Sequence, residues 1–171
     1  MKKLFPLLLA FILLLCGCTD SILSPKPTLP DFSGGYTFTA KISGDADCTI
    51  LMTRIGVNNW TAEFTEPYAL TGTKLTCNGG RLEASYGEFV CGGYSEGWDK
   101  TDLYRIISAL ECAANDSGSI TVTETADGLK CAGVCSAGGF TLTVSNGMLS
   151  EIAMDSTGTK AVITDWVFNS L

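Results

Sequence analysis

The chain has 171 residues, room for one domain behind a short leader, with 11 basic and 18 acidic side chains and no histidine. The missing histidine excludes histidine general bases, histidine metal ligands and the Ser-His and Cys-His nucleophile arrangements. The formal charge of −7 repels phosphates and anionic lipid surfaces, which argues against nucleic acid as a partner.

The first predicted element is a leader. Lys2 and Lys3 precede an apolar run over residues 4–15 that only Pro6 interrupts. As a helix that run would span about 18 Å, well short of a hydrocarbon core of about 30 Å, so it reads as a signal-peptide h-region. Leu15-Cys16-Gly17-Cys18 resembles a bacterial lipobox, in which a small residue immediately precedes the cleaved bond. Gly17 before Cys18 meets that requirement, and Leu15 before Cys16 does not. Residues 1–17 are therefore expected to leave, Cys16 with them. Cys18 is expected to become the N-terminus, carrying a diacylglyceryl thioether that partners the membrane. At about 0.8 kcal/mol per buried CH₂, two chains anchor stably where one does not. Losing Lys2 and Lys3 takes the charge from −7 to −9. The predicted address is the extracytoplasmic face of the cell membrane. Residues 18–31 carry Pro25, Pro27 and Pro30 and read as a linker; residues 32–171 read as a single β domain.

From Tyr36, apolar and polar residues alternate: Tyr36, Phe38, Ala40 and Ile42 share one face of a half-buried strand. Cys48, Ile50 and Met52 continue on a second, and Trp60, Ala62 and Phe64 on a third. Glu66-Pro67 ends it, and a further strand is predicted over residues 68–77. Asn78-Gly79-Gly80 is a hairpin signal, with Leu82, Ala84 and Tyr86 on the return strand and Phe89 and Cys91 on the next. The stretch 98–115 breaks the meander. Leu103, Ile106, Ile107, Leu110 and Ala114 recur at helical spacing, with Asp99 as the expected cap and Asp102 in the first turn. Strands resume over residues 120–124, 129–135, 140–144, 148–154 and 161–168, the last predicted to place Val162, Trp166 and Phe168 on one face. About ten strands and one helix give an α+β fold built on an antiparallel sheet.

The order of these elements, in "GGYTFTAKI", "NNWTAEFTEPYALTG", "LTCNGGRLEASYGEF", a helix and "GGFTLTVSNGMLSEI", resembles that of the LolA/LolB/LppX-like lipoprotein carriers. More narrowly, it resembles uncharacterised lipoproteins of Clostridia-type bacteria, most specifically in Trp60 to Gly72. The resemblance runs over about residues 32–168. It implies a curved, incompletely closed antiparallel barrel (an incomplete β-barrel) with the helix packed on its concave face, where an apolar or lipid ligand is held. Trp60, Phe64, Tyr86, Leu103, Ile107 and Trp166 are the candidate ligand-binding residues, with core filling as the competing role for these aromatics.

Six cysteines lie in the domain: Cys48, Cys77, Cys91, Cys112, Cys131 and Cys135. In an oxidising compartment they can pair. Cys131 and Cys135 fall on one predicted strand about 13 Å apart, beyond disulfide reach. Cys112 falls off the apolar stripe of the helix, so it is the expected pairing partner, with Cys131 or Cys135. No C-x₂-C spacing supports a metal site. No Ser-x-x-Lys dyad, phosphate-binding glycine loop or nucleophile elbow supports catalysis, so neither a catalytic residue nor a cofactor is predicted. The functional readings are a membrane-anchored extracytoplasmic lipoprotein that binds an apolar ligand, or a non-catalytic interaction module tethered at the cell surface.

Overall fold

The computed structural model describes residues 27–93 and 97–169, in which eleven strands form one antiparallel sheet. They are β1 (Tyr36–Ser43), β2 (Cys48–Gly56), β3 (Asn59–Glu66), β4 (Thr73–Asn78), β5 (Arg81–Tyr86), β6 (Phe89–Gly92), β7 (Thr121–Thr125), β8 (Gly128–Cys135), β9 (Gly138–Ser145), β10 (Met148–Met154) and β11 (Lys160–Phe168). One helix, α1 (Asp102–Asn115), lies between β6 and β7 in the chain. Across the sheet the order is β6-β5-β4-β3-β2-β1-β11-β10-β9-β8-β7, so two meanders join where β1 pairs with β11. The sheet does not close: it is a curved open half-barrel with one helix. That is the α+β half-barrel expected from the sequence, with eleven strands in place of about ten. Residues 1–26, including the predicted signal peptide, Cys18 and most of the linker, lie outside the described residues.

Alternation builds the core. Tyr36, Phe38, Ala40 and Ile42 of β1 are buried, as are Ile50 and Met52 of β2 and Phe140, Leu142 and Val144 of β9. The helix lays Leu103, Ile106, Ile107, Ala109, Leu110 and Ala113 against this face, touching β1, β8 and β10. Its cap is Thr101 rather than Asp99: the Thr101 hydroxyl accepts from the Tyr104 amide at 3.2 Å, while Asp99 sits in a single tight turn before it.

Two strands depart from expectation. Residues 68–70 form a short helical turn after Pro67, and β4 begins only at Thr73, once Gly72 has taken a positive φ of 84°. In β11, Ala161 and Ile163 point inward and Val162 points out, against the predicted shared face of Val162, Trp166 and Phe168. The cause is one extra residue. Thr37 pairs with Val167 but Thr39 with Thr164, and Asp165 adopts φ 55°, so the bulge restores Trp166 to the inward face.

Candidate functional site: a groove beside the helix

The register of β3–β6 determines which side chains face the concavity. Trp60 stands opposite Cys77, and Cys77 opposite Leu82. The next row is Ala62, Leu75, Ala84 and Cys91, and Tyr86 faces Phe89. The convex side carries Glu63, Lys74, Thr76 and Glu83, with Lys74 Nζ 3.2 Å from Glu63 Oε2. The pattern thus aims an apolar surface inward from β4–β6, but α1 does not reach it. Tyr86 is 60% exposed and Phe89 81%, and Leu75, Leu82 and Ala84 are only partly buried.

Between this bare wing and the helix runs a groove of about 620 Å³, within the range of small-molecule sites, roughly 300–1,000 Å³. Its sheet wall is Trp60, Cys77 and Leu82. Its helix wall is Tyr104, Ile107, Ser108, Glu111, Cys112 and Asn115, and Val134, Cys135 and Ser136 close the far side. Trp98 sits at one end, its ring stacked on Trp60 at 6.0 Å and edge-on to Tyr104 at 5.9 Å. Past Trp98 and Leu82 a second hollow of about 400 Å³ continues over Leu75, Ala84 and Cys91.

Two polar clusters fix the helix that forms the wall. Arg54 lies on the inward face of β2 and is 1% exposed. Its Nε and Nη2 donate to the Glu111 carboxylate at 3.0 and 3.2 Å, and Nη1 donates to the Ser33 and Gly34 carbonyls at 2.8 Å each. Its guanidinium also lies 5.6 Å from the centre of the Tyr36 ring. At the other end, the Asp102 carboxylate accepts from Asp45 N at 2.7 Å, Arg105 Nη1 at 2.7 Å, Ala46 N at 3.4 Å and the Thr159 hydroxyl. Burial alone would raise the pKa of Asp102, but these hydrogen bonds outweigh it and hold the carboxyl below its ordinary value of 3.8. The β1–β2 turn and the β10–β11 turn are thereby tied to the first turn of α1.

The predicted ligand residues separate into several places. Trp60 and Ile107 line the groove. Phe64 and Leu103 line a smaller hollow of about 350 Å³ beside Pro67 and Leu70. Tyr86 stands on the bare wing. Trp166 is packed among Phe32, Tyr36 and Phe38, with ring centres 4.4–5.8 Å away. Sequence reasoning passed over Trp98, Leu82, Tyr104 and Glu111. Trp98 did carry a signal, as a large aromatic just ahead of the helical pattern.

The six described domain cysteines are free thiols in the structure. Cys112 and Cys135 line the same groove, their thiols donating to Val134 O at 3.5 Å and Gly138 O at 3.4 Å. Burial raises the Cys112 pKa, and neighbouring Cys135 and Asp116 add to the rise. Cys131 is wholly buried on β8 between Val122 and Leu142. Among the described residues no cluster of three or more His, Cys, Asp or Glu side chains is placed to hold a metal ion.

No known family model and no curated protein matches the chain. Solved structures similar to it include an uncharacterized conserved protein from Thermus thermophilus, 9% identical, with TM-score 0.49 over 81% of each chain. A LolA superfamily protein from Nitrosomonas europaea is 13% identical, with TM-score 0.41 over 84% of this chain and 89% of that one. A protein described as an outer membrane lipoprotein-sorting domain, from Vibrio parahaemolyticus, is 9% identical, with TM-score 0.41 over 80% and 86%. None of the three bears on the narrower resemblance to Clostridia-type lipoproteins. Two of the three carry LolA or lipoprotein-sorting descriptions, which are said of those proteins.

Proposed function

We propose that this protein is an extracytoplasmic lipoprotein that holds an apolar ligand, such as a lipid acyl chain, in the groove beside α1. The observation that carries this reading is the apolar face of β4–β6, which the described residues cover only in part and which is continuous with the groove through Leu82 and Trp98. A sheet face patterned for burial and left open is stabilised by covering it, at about 25 cal/mol per Å² of apolar area removed from water. Lipid extraction and mass spectrometry of the protein purified from its own membranes are expected to find bound lipid, and Leu82→Asp is expected to lose it. A purified protein with nothing bound, and no lipid uptake on reconstitution, would sink the reading.

The proposed anchor is Cys18, supported by the Lys2-Lys3 pair, the apolar run and Gly17. Radioactive fatty-acid labelling should disappear in Cys18→Ala and persist in Cys16→Ala; the reverse pattern would move the anchor. The interaction-module reading draws on one feature, the edge of β6, unpaired among the described residues, with Phe89 and Val90 exposed. A protein crosslinked at β6 in membranes while the groove stays empty would favour it.

A further inference from the structure

We propose that the groove selects an amphiphile whose polar head carries no negative charge, an acylglycerol-type head rather than a carboxylate or phosphate. This inference rests on the apolar-ligand reading and specifies which ligand that site takes.

The groove has a direction. Helix positions 104, 107, 108, 111, 112 and 115 recur on one face of α1, so the helix wall runs roughly 16 Å at 1.5 Å per residue. At the Tyr104 end the groove opens past Trp98 and Leu82 onto the bare apolar wing. At the Asn115 end its walls turn polar: Glu111 and Asn115 from the helix, Asn58 and Gly80 from the hairpin turns. An amphiphile therefore lies with its chain along Trp98 and Leu82 and its head beside Glu111.

That end offers no free positive charge among the described residues. Among the described residues no Lys or Arg lines the groove, and Glu111 is the one charged side chain that does. Its carboxylate is matched by Arg54, but the Arg54 nitrogens already serve Glu111, Ser33 and Gly34 and the residue is buried behind the wall. Arg54 therefore offers a ligand nothing. The last turn of α1 holds no basic residue that could pair with an anion, and Asp116 follows it. The Arg54–Glu111 pair cancels its own charge, so an anionic head placed here finds no free cation among the described residues to pair with. A hydroxyl or amide head finds donor and acceptor in the Asn58 and Asn115 side-chain amides, with Asn115 Nδ2 also donating to Glu111 Oε2 at 3.1 Å, and a further acceptor in the Glu111 carboxylate.

The test uses two amphiphiles with the same chain, 1-myristoylglycerol and myristate, titrated against the full mature protein below their aggregation limits. The readout is the fluorescence of Trp60 and Trp98. At about pH 8 the glyceride is expected to bind at least about tenfold more tightly, a difference of roughly 1.4 kcal/mol. The gap should close as acid protonates the myristate. Asn115→Lys, an exposed change that suits a helix C-terminus, is expected to narrow the ratio to about threefold or less. If myristate binds as tightly as the glyceride, or the ratio ignores Asn115→Lys, the head-selection inference is overturned while the apolar-ligand reading stands. If neither amphiphile binds, both fall.

Discussion

Under α1, strands β1, β2 and β8–β11 aim an apolar face inward and the helix fills the space above it, leaving Ile42, Leu142 and Ile152 wholly buried. On β4–β6 the same alternation aims Leu75, Leu82, Ala84, Tyr86 and Phe89 inward, but the described chain covers the first three only in part and leaves Tyr86 and Phe89 exposed. One half of the sheet spends its patterned face on folding, while the other keeps it available. Period-two patterning thus specifies which way a side chain points, and the reach of a single 14-residue helix specifies whether it is buried.

The contrast between the halves is tested most severely at Arg54, inside the filled one. Arg54→Ala leaves Glu111 partly buried without its cation and is expected to cost about 3–5 kcal/mol, read as a drop in the urea midpoint. A loss below about 1 kcal/mol would mean that the helix is not held through this pair. Next comes the far wall of the groove. Oxidation of Cys112 with Cys135, two thiol hydrogens passing to a thiol oxidant outside the cytoplasm, would link α1 to β8. Closing that loop is expected to stabilise by roughly 3 kcal/mol. Non-reducing peptide mapping decides it, and a peptide linking Cys112 to Cys131 instead would redraw the wall.

A smaller effect is expected at Asp102. Its folded carboxyl titrates below 3.8, so the stability that it contributes is complete above the unfolded value and is lost as pH falls through the lower, folded one. Asp102→Asn is expected to cost about 1–3 kcal/mol at neutral pH and to flatten the acid limb of a stability profile below about pH 4. An unchanged acid limb would count against the clamp. The smallest effect belongs to the bare wing. Phe89→Ser should change stability by no more than about 0.5 kcal/mol while reducing lipid retention. A large destabilisation there would mean that the wing is covered after all.

Much of the sheet was legible because its signals are local. The Tyr36–Ile42 alternation, the Asn78-Gly79-Gly80 turn and the Leu103–Leu110 stripe each need only a few neighbouring residues to be read. Arg54 was not legible. Periodicity after Cys48, Ile50 and Met52 points it inward, its charge argues for the surface, and the partner that settles the conflict lies 57 residues away. The β11 faces were lost to a single added residue at Asp165. The site was only partly readable for a related reason. Trp60 and Ile107 border the groove and Trp166 does not, because which inward residues meet a gap depends on sheet curvature and helix placement, not on alternation.

The chain approaches the domain at residues 27–29, which lie against residues 117–122 just past the C-terminal end of α1, and Leu29 already packs on the core. Eight residues lie between Cys18 and Pro27, nine peptide steps with a contour of at most about 32 Å. With the anchor proposed at Cys18, the domain hangs from the bilayer by the same end at which Asn58, Glu111 and Asn115 gather. An amphiphile leaving the membrane would then meet this end within the reach of the tether, so the linker length would bear on loading as well as on the proposed address.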